Sequence, residues 1–91
     1  MNENYAEQVQ RILDDLADAD RTLAGAIVRE RMARERYQAA ASPAGEGDEL
    51  ARLKDELTDE EIRKEQAITH YTAALSASNL LSALLKTMAA H

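Results

Sequence analysis

Ser42-Pro43-Ala44-Gly45-Glu46-Gly47-Asp48 separates the chain into two long arms and holds its only proline and two of its three glycines. In both arms, apolar residues recur at helical spacing with a single glycine to interrupt them. Because proline and glycine are the strongest local breakers of such patterns, this stretch is predicted to be a turn. The sequence thus predicts one all-α domain over residues 1–91, a helical hairpin with its turn at 42–48. Its antiparallel helices are expected at about 3–41 and 49–89.

The first arm has one apolar face, built by alternating steps of four and three residues. This is the heptad spacing of a coiled coil. Leu13 and Ile27 are expected to widen the face. Alanine recurs at one heptad position, which either lets a neighbouring helix approach closely or simply reflects helix propensity. The face consists of Tyr5, Val9, Ile12, Leu16, Ala19, Leu23 and Ala26, continued by Glu30, Ala33, Tyr37 and Ala40.

The second arm is expected to begin at Glu49, with Asp48 as its N-cap. Thr58 and Glu61 match a capping box, which would start a new helix inside the arm. We expect one continuous helix, with a kink near 57–59 or 76–79 as the alternative. The apolar stripe of this arm is predicted to consist of Leu50, Leu53, Leu57, Ile68, Tyr71 and Leu75.

The charges support the same hairpin. Residues 29–36 carry four Arg and two Glu, whereas residues 46–65 carry nine acids and four bases. Folding about residue 45 pairs positions whose numbers sum to about 89, which sets the basic segment opposite the acidic one. Ion pairing between the arms is a better account of these arginines than a phosphate or RNA site, and the net charge of −6 argues against nucleic acid as a partner.

Apolar residues near the two chain ends form the predicted interface. Of the apolar residues 18 are Ala, and the chain has no Phe or Trp, so two helices alone would bury little. Beyond residue 79 the apolar direction of the second arm is expected to turn away from the hairpin partner. Self-association or docking to another protein is therefore expected through Val9, Leu13, Leu16, Leu80, Leu81, Leu84, Leu85 and Met88.

A second candidate surface lies on the back of the first arm. Val28 and Met32 are one turn apart there, and Gly25 precedes them. Glycine inside a helix costs about 1 kcal/mol relative to alanine, so it would be retained where another backbone comes close. The alternative is that these are scattered exposed apolar residues, which are normal.

No pattern specifies a reaction. The chain has no Cys, which excludes thiol chemistry and cysteine-bound zinc. His70 lacks the Glu-x-x-His spacing of di-iron bundles, and Gly45-Glu46-Gly47 lacks the lysine of a phosphate loop. We expect no enzyme activity, cofactor or metal. No leader sequence and no run of about 18 apolar residues is present, so a cytoplasmic protein without a membrane partner is expected.

The predicted function is a protein–protein interaction module: an adaptor, small chaperone or regulator. It would form a homodimeric four-helix bundle and offer an apolar helical face to an unidentified protein. The alternative is an acidic decoy that mimics nucleic acid and blocks a protein that binds it. The decoy would use Asp14, Asp15, Asp18, Asp20, Asp55, Glu56, Asp59, Glu60 and Glu61.

Overall fold

The computed structural model describes residues 2–41 and 47–90, with side chains from residue 4 onward. Two helices account for these ranges: α1 (Asn2–Ala41) and α2 (Gly47–Ala89). The prediction of an all-α chain with two long helices is confirmed, and the described residues contain no strand. Most of the predicted turn, residues 42–46, lies outside the described residues.

The helix α2 begins two residues before the predicted start at Glu49, because Gly47 and Asp48 are already helical. Asp48 therefore lies in the first turn instead of capping it, where its charge still favours the positive end of the helix dipole. No break occurs at Thr58 or Asn79, since α2 is continuous from Gly47 to Ala89. The capping signal at Thr58 is overridden because α2 packs against α1 on both sides of that position.

The helices are antiparallel, and the described chain ends meet at one end of a rod. The Tyr5 hydroxyl donates a hydrogen bond to Met88 Sδ at 4.0 Å. The rod measures 68 × 22 × 13 Å, and its radius of gyration is 20.1 Å, against about 12 Å for a compact domain of this length. Neither described helix contains an 18-residue stretch apolar enough to cross a membrane.

The seam between the helices follows the prediction on α1 and departs from it on α2. Every predicted seam position of α1 from Val9 to Ala40 is buried or half-buried. On α2, however, Ile68 and Leu75 are 39% and 37% exposed, so their assignment to the seam was wrong. The observed α2 seam comprises Leu50, Leu53, Leu57, Glu60, Lys64, Ala67, Tyr71, Ala74, Ser78 and Leu81.

The small size of alanine explains why the observed seam of α2 is shifted by one residue, from Ile68 and Leu75 to Ala67 and Ala74. The buried positions include Ala19 and Ala26 on α1 and Ala67 and Ala74 on α2. The distance between two packed helices depends on the side chains at their contact, and alanine on both sides allows a close approach. Branched side chains the size of Ile68 would separate the helices at this point, and they lie beside the seam instead.

The apolar direction of α2 does not turn near residue 79, contrary to the prediction. Leu81 follows Ala67 and Ala74 at intervals of seven residues and is half-buried like other seam residues. The sequence predicts a change of direction because Ile68 and Leu75, as large apolar residues, are expected in the seam, and they lie beside it. The seam of α2 is thus one straight heptad series from Leu50 to Leu81.

Candidate protein-binding surfaces

Two long flanks border the seam of the hairpin, and cross-helix contacts identify the residues of each. Arg34 Nη2 donates to Glu61 Oε2 at 3.3 Å, and each of these residues directly follows a seam residue. Asp15 Oδ1 and His70 Nε2 lie 3.0 Å apart, and each of these directly precedes a seam residue. Residues one place after the seam therefore share one flank, and residues one place before it share the other.

The first flank carries four exposed large apolar side chains over its middle section. Each directly follows a seam residue, as Ile27 follows Ala26 and Ile68 follows Ala67. The sequence places Ile68 and Leu75 in the seam of α2 because they are its large apolar residues there. It also predicts that Leu13 and Ile27 widen the seam face of α1, but they are 46% and 39% exposed, so that prediction was wrong. The seven-residue series through Ala67, Ala74 and Leu81 was the signal in the sequence that distinguishes the α2 seam from Ile68 and Leu75 beside it. We call this surface the apolar flank: Leu13, Ile27, Ile68 and Leu75.

The opposite flank is polar over the same section. Besides the pair Asp15–His70, it holds Arg29, whose Nε lies 3.4 Å from Glu60 Oε2, and Arg63, whose Nη1 donates to Glu60 Oε1 at 2.6 Å. We call this surface the charged flank and define it by Asp15, His70, Arg29 and Arg63. The side chains of Asp15, His70, Arg29 and Arg63 are about half exposed or more, so an exposed pair such as Asp15–His70 contributes only about 0–1 kcal/mol.

Toward the chain ends the charged flank gives way to an apolar groove of about 300 Å³. Leu80 and Leu84 are the most exposed of its leucines, at 67% and 59%. Both line the groove together with Tyr5, Val9 and Ile12 of α1. We call this feature the chain-end groove: Tyr5, Gln8, Val9, Ile12, Ala77, Leu80, Leu81 and Leu84.

The residues predicted as one interface occupy three different places. Val9, Leu16 and Leu81 are half-buried seam residues. Leu80 and Leu84 line the chain-end groove, and Leu85 and Met88 extend the seam series to its exposed end. Leu13 lies on the apolar flank, on the other side of the hairpin. The structure thus brings five of the eight together near the chain-end groove: Val9, Leu80, Leu81, Leu84 and Met88, the last through Tyr5.

The second candidate surface is exposed, but its glycine has a local explanation. Val28 and Met32 are 51% and 50% exposed. A Cβ atom at Gly25 would lie 3.2 Å from Arg29 Nη1. The guanidinium of Arg29 passes over Gly25 toward Glu60, so this space is filled by a side chain of the same helix.

A layer of charges crosses the middle of the seam. Glu30 is 4% exposed and contacts Arg34 on its own helix and Lys64 on α2, with Lys64 Nζ 3.6 Å from Glu30 Oε2. Glu60 faces Arg29 and Arg63. One oxygen of each carboxylate has an ionic neighbour but no aligned hydrogen-bond donor among the described residues. Buried Glu30 and half-buried Glu60 are therefore each matched by two cations.

Several acids of the alternative nucleic-acid mimic already have basic partners within the hairpin. Asp18 contacts Arg21, and Glu56 accepts a hydrogen bond from Arg52 at 2.9 Å. Glu60 and Glu61 pair with arginines of the seam layer. These pairs neutralise part of the negative surface that a mimic would present.

The described residues form no candidate metal site. Across residues 2–41 and 47–90, no three His, Asp or Glu side chains gather in an arrangement that could hold a metal ion. His70, the one described histidine, pairs with Asp15 on the surface. Comparison of the chain with protein-family models, with curated proteins and with solved structures gives no match.

Proposed function

We propose that this chain is a protein–protein interaction module, an adaptor, small chaperone or regulator that binds a helix of another protein in its chain-end groove. A homodimeric four-helix bundle is part of the same proposal. The observation that carries it is the groove itself, where leucines of α2 and apolar residues of α1 stay exposed side by side. Contiguous exposed apolar surface on a small protein is typical of interaction sites.

The shape of the groove fits an amphipathic helix. Leu80 and Leu84 are one helical turn apart, and Leu81 and Ala77 form the floor beside them. A partner helix that presents apolar residues at positions i, i+4 and i+7 would place them between these leucines and α1. Burial of a leucine contributes about 1.5–3 kcal/mol, so a few such contacts produce a specific complex.

The test is affinity capture from cells that naturally contain the protein, with wild-type chain and Leu84→Asp as baits. We expect the wild type to retain a partner through a high-salt wash, because apolar contacts resist screening. The aspartate variant should lose that partner, since a carboxylate would be buried in the groove. Leu84 is an exposed residue, so circular dichroism should show unchanged helicity.

Val28→Asp is the matched control, because it introduces the same charge at a residue of similar exposure on the back of α1. It should retain the partner. Loss with Val28→Asp and retention with Leu84→Asp would move the binding site to the second candidate surface. A partner released by salt from the wild type would instead favour the acidic decoy.

A further inference from the structure

We infer that the apolar flank is the face on which a second copy of this chain packs to complete a four-helix bundle. This inference rests on the self-association included in the proposed function and gives it a location. The sequence predicts the dimer interface at the leucines near the chain ends and includes only Leu13 of this face. The face is formed by Leu13 and Ile27 of α1 with Ile68 and Leu75 of α2.

The first argument is surface area. The chain exposes 6810 Å², whereas a compact monomer of its mass, 10.1 kDa, would expose about 5,300 Å². The excess is about 1,500 Å² per chain, and a standard specific interface buries about 800 Å² on each partner. One long flank of the hairpin can therefore be covered by a second molecule, and the surface left, about 6,000 Å², would still exceed that of a compact monomer.

The second argument is the small interior of the hairpin. Its buried apolar residues are five alanines and Leu53, and no large described side chain is fully buried. Alanine contributes little apolar area, so the seam alone provides weak cohesion for two helices of this length. In a four-helix bundle the missing core is supplied between hairpins, by large side chains that face away from the individual seams.

The third argument is the contrast between the flanks. Over the section from Leu13 to Ile27, about 21 Å along α1, the apolar flank offers four large apolar side chains and one charged residue, Asp20. The charged flank carries Asp15, His70 and Arg63 over the same section, and Arg29 directly beyond it. Interface cores are depleted in charge, so only the apolar flank can be buried without desolvating several ions.

A second copy is the occupant that the surface itself specifies. A two-fold dimer uses the same patch on both molecules, and this patch is aliphatic apart from Asp20, so it carries no pattern of charges that a different partner would complement. The chain-end groove lies on the other flank. Dimerisation through the apolar flank would therefore leave both grooves open, and one bundle could hold two partner helices.

The test is sedimentation velocity over a wide dilution series with four chains: wild type, Ile68→Asp, Leu84→Asp and Val28→Asp. We expect the wild type to be dimeric and Ile68→Asp to raise the dimer dissociation constant by at least about a hundredfold, since a carboxylate would be buried in an apolar interface. Leu84→Asp and Val28→Asp should dimerise like the wild type. Leu75→Lys is a second flank variant, and circular dichroism checks that each variant stays helical.

The outcomes separate this inference from the proposed function. Dimers formed by Ile68→Asp and Leu75→Lys, but not by Leu84→Asp, would overturn the apolar flank and return self-association to the chain-end leucines. A wild type that stays monomeric at all concentrations would overturn both the dimer and this inference. The affinity capture with Leu84→Asp would then still test whether the chain-end groove binds a partner.

Discussion

Lys64 Nζ of α2 lies 3.6 Å from Glu30 Oε2 of α1, in the middle of a seam otherwise rich in alanine. Glu30 is the one charged residue that is buried in the described part of the chain. Its second cation, Arg34, also reaches Glu61 across the helices at 3.3 Å. Burying a carboxylate costs several kcal/mol unless cations compensate it, so this layer fixes how the two helices align.

The double variant Lys64→Met and Arg34→Met tests this compensation. It leaves the carboxylate of Glu30 buried without a cation, and we expect the free energy of unfolding to fall by about 2–3 kcal/mol. The value is reduced from that of a fully buried pair because both cations are partly exposed. Urea denaturation at one fixed protein concentration measures it, because a dimer's stability depends on concentration.

The control for that experiment is Arg11→Met with Lys54→Met, which also removes two positive charges. Arg11 is exposed and its contact with Glu7 is 3.9 Å long, and Lys54 is an exposed residue beside the seam. Exposed pairs contribute about 0–1 kcal/mol. Equal losses of stability in the two double variants would mean that general charge balance, and not the buried layer, stabilises the hairpin.

Glu30→Leu should not lower the free energy of unfolding as the double variant Lys64→Met and Arg34→Met does. It removes the buried charge together with its desolvation cost, and Arg34 retains Glu61 as a partner. Replacement of a whole buried ion pair by apolar residues is often neutral or stabilising, and Lys64, which loses its partner here, has a side chain 30% exposed that can extend its ammonium into water. We therefore expect a free energy of unfolding equal to the wild-type value or up to about 2 kcal/mol higher.

The expected cost of Glu30→Leu is a less specific alignment of the helices. Without the charged layer, the repeating alanines allow α1 and α2 to slide by one heptad. The chain has no Cys, so Ala17→Cys and Ala73→Cys can be introduced together to carry one spin label on each helix. The distance between the two labels is then measured in the wild-type background and in Glu30→Leu. A single narrow distance in Glu30→Leu would show that the alanine seam alone sets the alignment.

The first helix shows how far sequence reasoning reaches. Its seam from Val9 to Ala40 agrees with the prediction because heptad positions there include large residues such as Ile12, Leu16 and Leu23, which signal burial by themselves. Tyr5, at the open end of the predicted face, is exposed instead. The distribution of charge between the arms also indicated the antiparallel direction. Both signals depend on properties of the individual residues, and the pairs Arg29–Glu60 and Arg34–Glu61 reproduce that expectation.

The second helix shows where this reasoning fails. Between Leu57 and Leu81, its seam consists of Glu60, Lys64, Ala67, Tyr71, Ala74 and Ser78. Apolar periodicity gives most weight to large side chains, so it selected Ile68 and Leu75, one residue away. The choice between the two registers depends on what faces them, and Ala19 and Ala26 leave room only for alanine. The apolar flank was missed for the same reason.

Close packing of alanine also makes a direct prediction. Ala74 is buried against α1, and Ala73 beside it is exposed. Ala74→Leu should lower the free energy of unfolding by about 1–3 kcal/mol, because a larger side chain must force the helices apart. Ala73→Leu introduces the same group into the same helix turn and should change stability by less than about 0.5 kcal/mol. Similar effects of the two substitutions would contradict a tight seam at this position.

Gly25→Ala tests the second candidate surface. Glycine inside a helix costs about 1 kcal/mol relative to alanine, and the added methyl group meets only the end of the Arg29 side chain, 3.2 Å from Nη1. That side chain is flexible and half exposed, so it can move by a few tenths of an ångström. We expect a gain of about 0.5–1 kcal/mol in the free energy of unfolding, measured by urea denaturation.

The same variant distinguishes a local from an intermolecular role for this glycine. If another backbone packed over Gly25 in the complex, the methyl group of Gly25→Ala would block it and weaken partner capture while the isolated chain became more stable. If the glycine only makes room for Arg29 on its way to Glu60, capture should be unchanged. A double variant with Arg29→Ala separates the contributions, because the stability gained by alanine should then rise toward the full helix-propensity difference of about 1 kcal/mol.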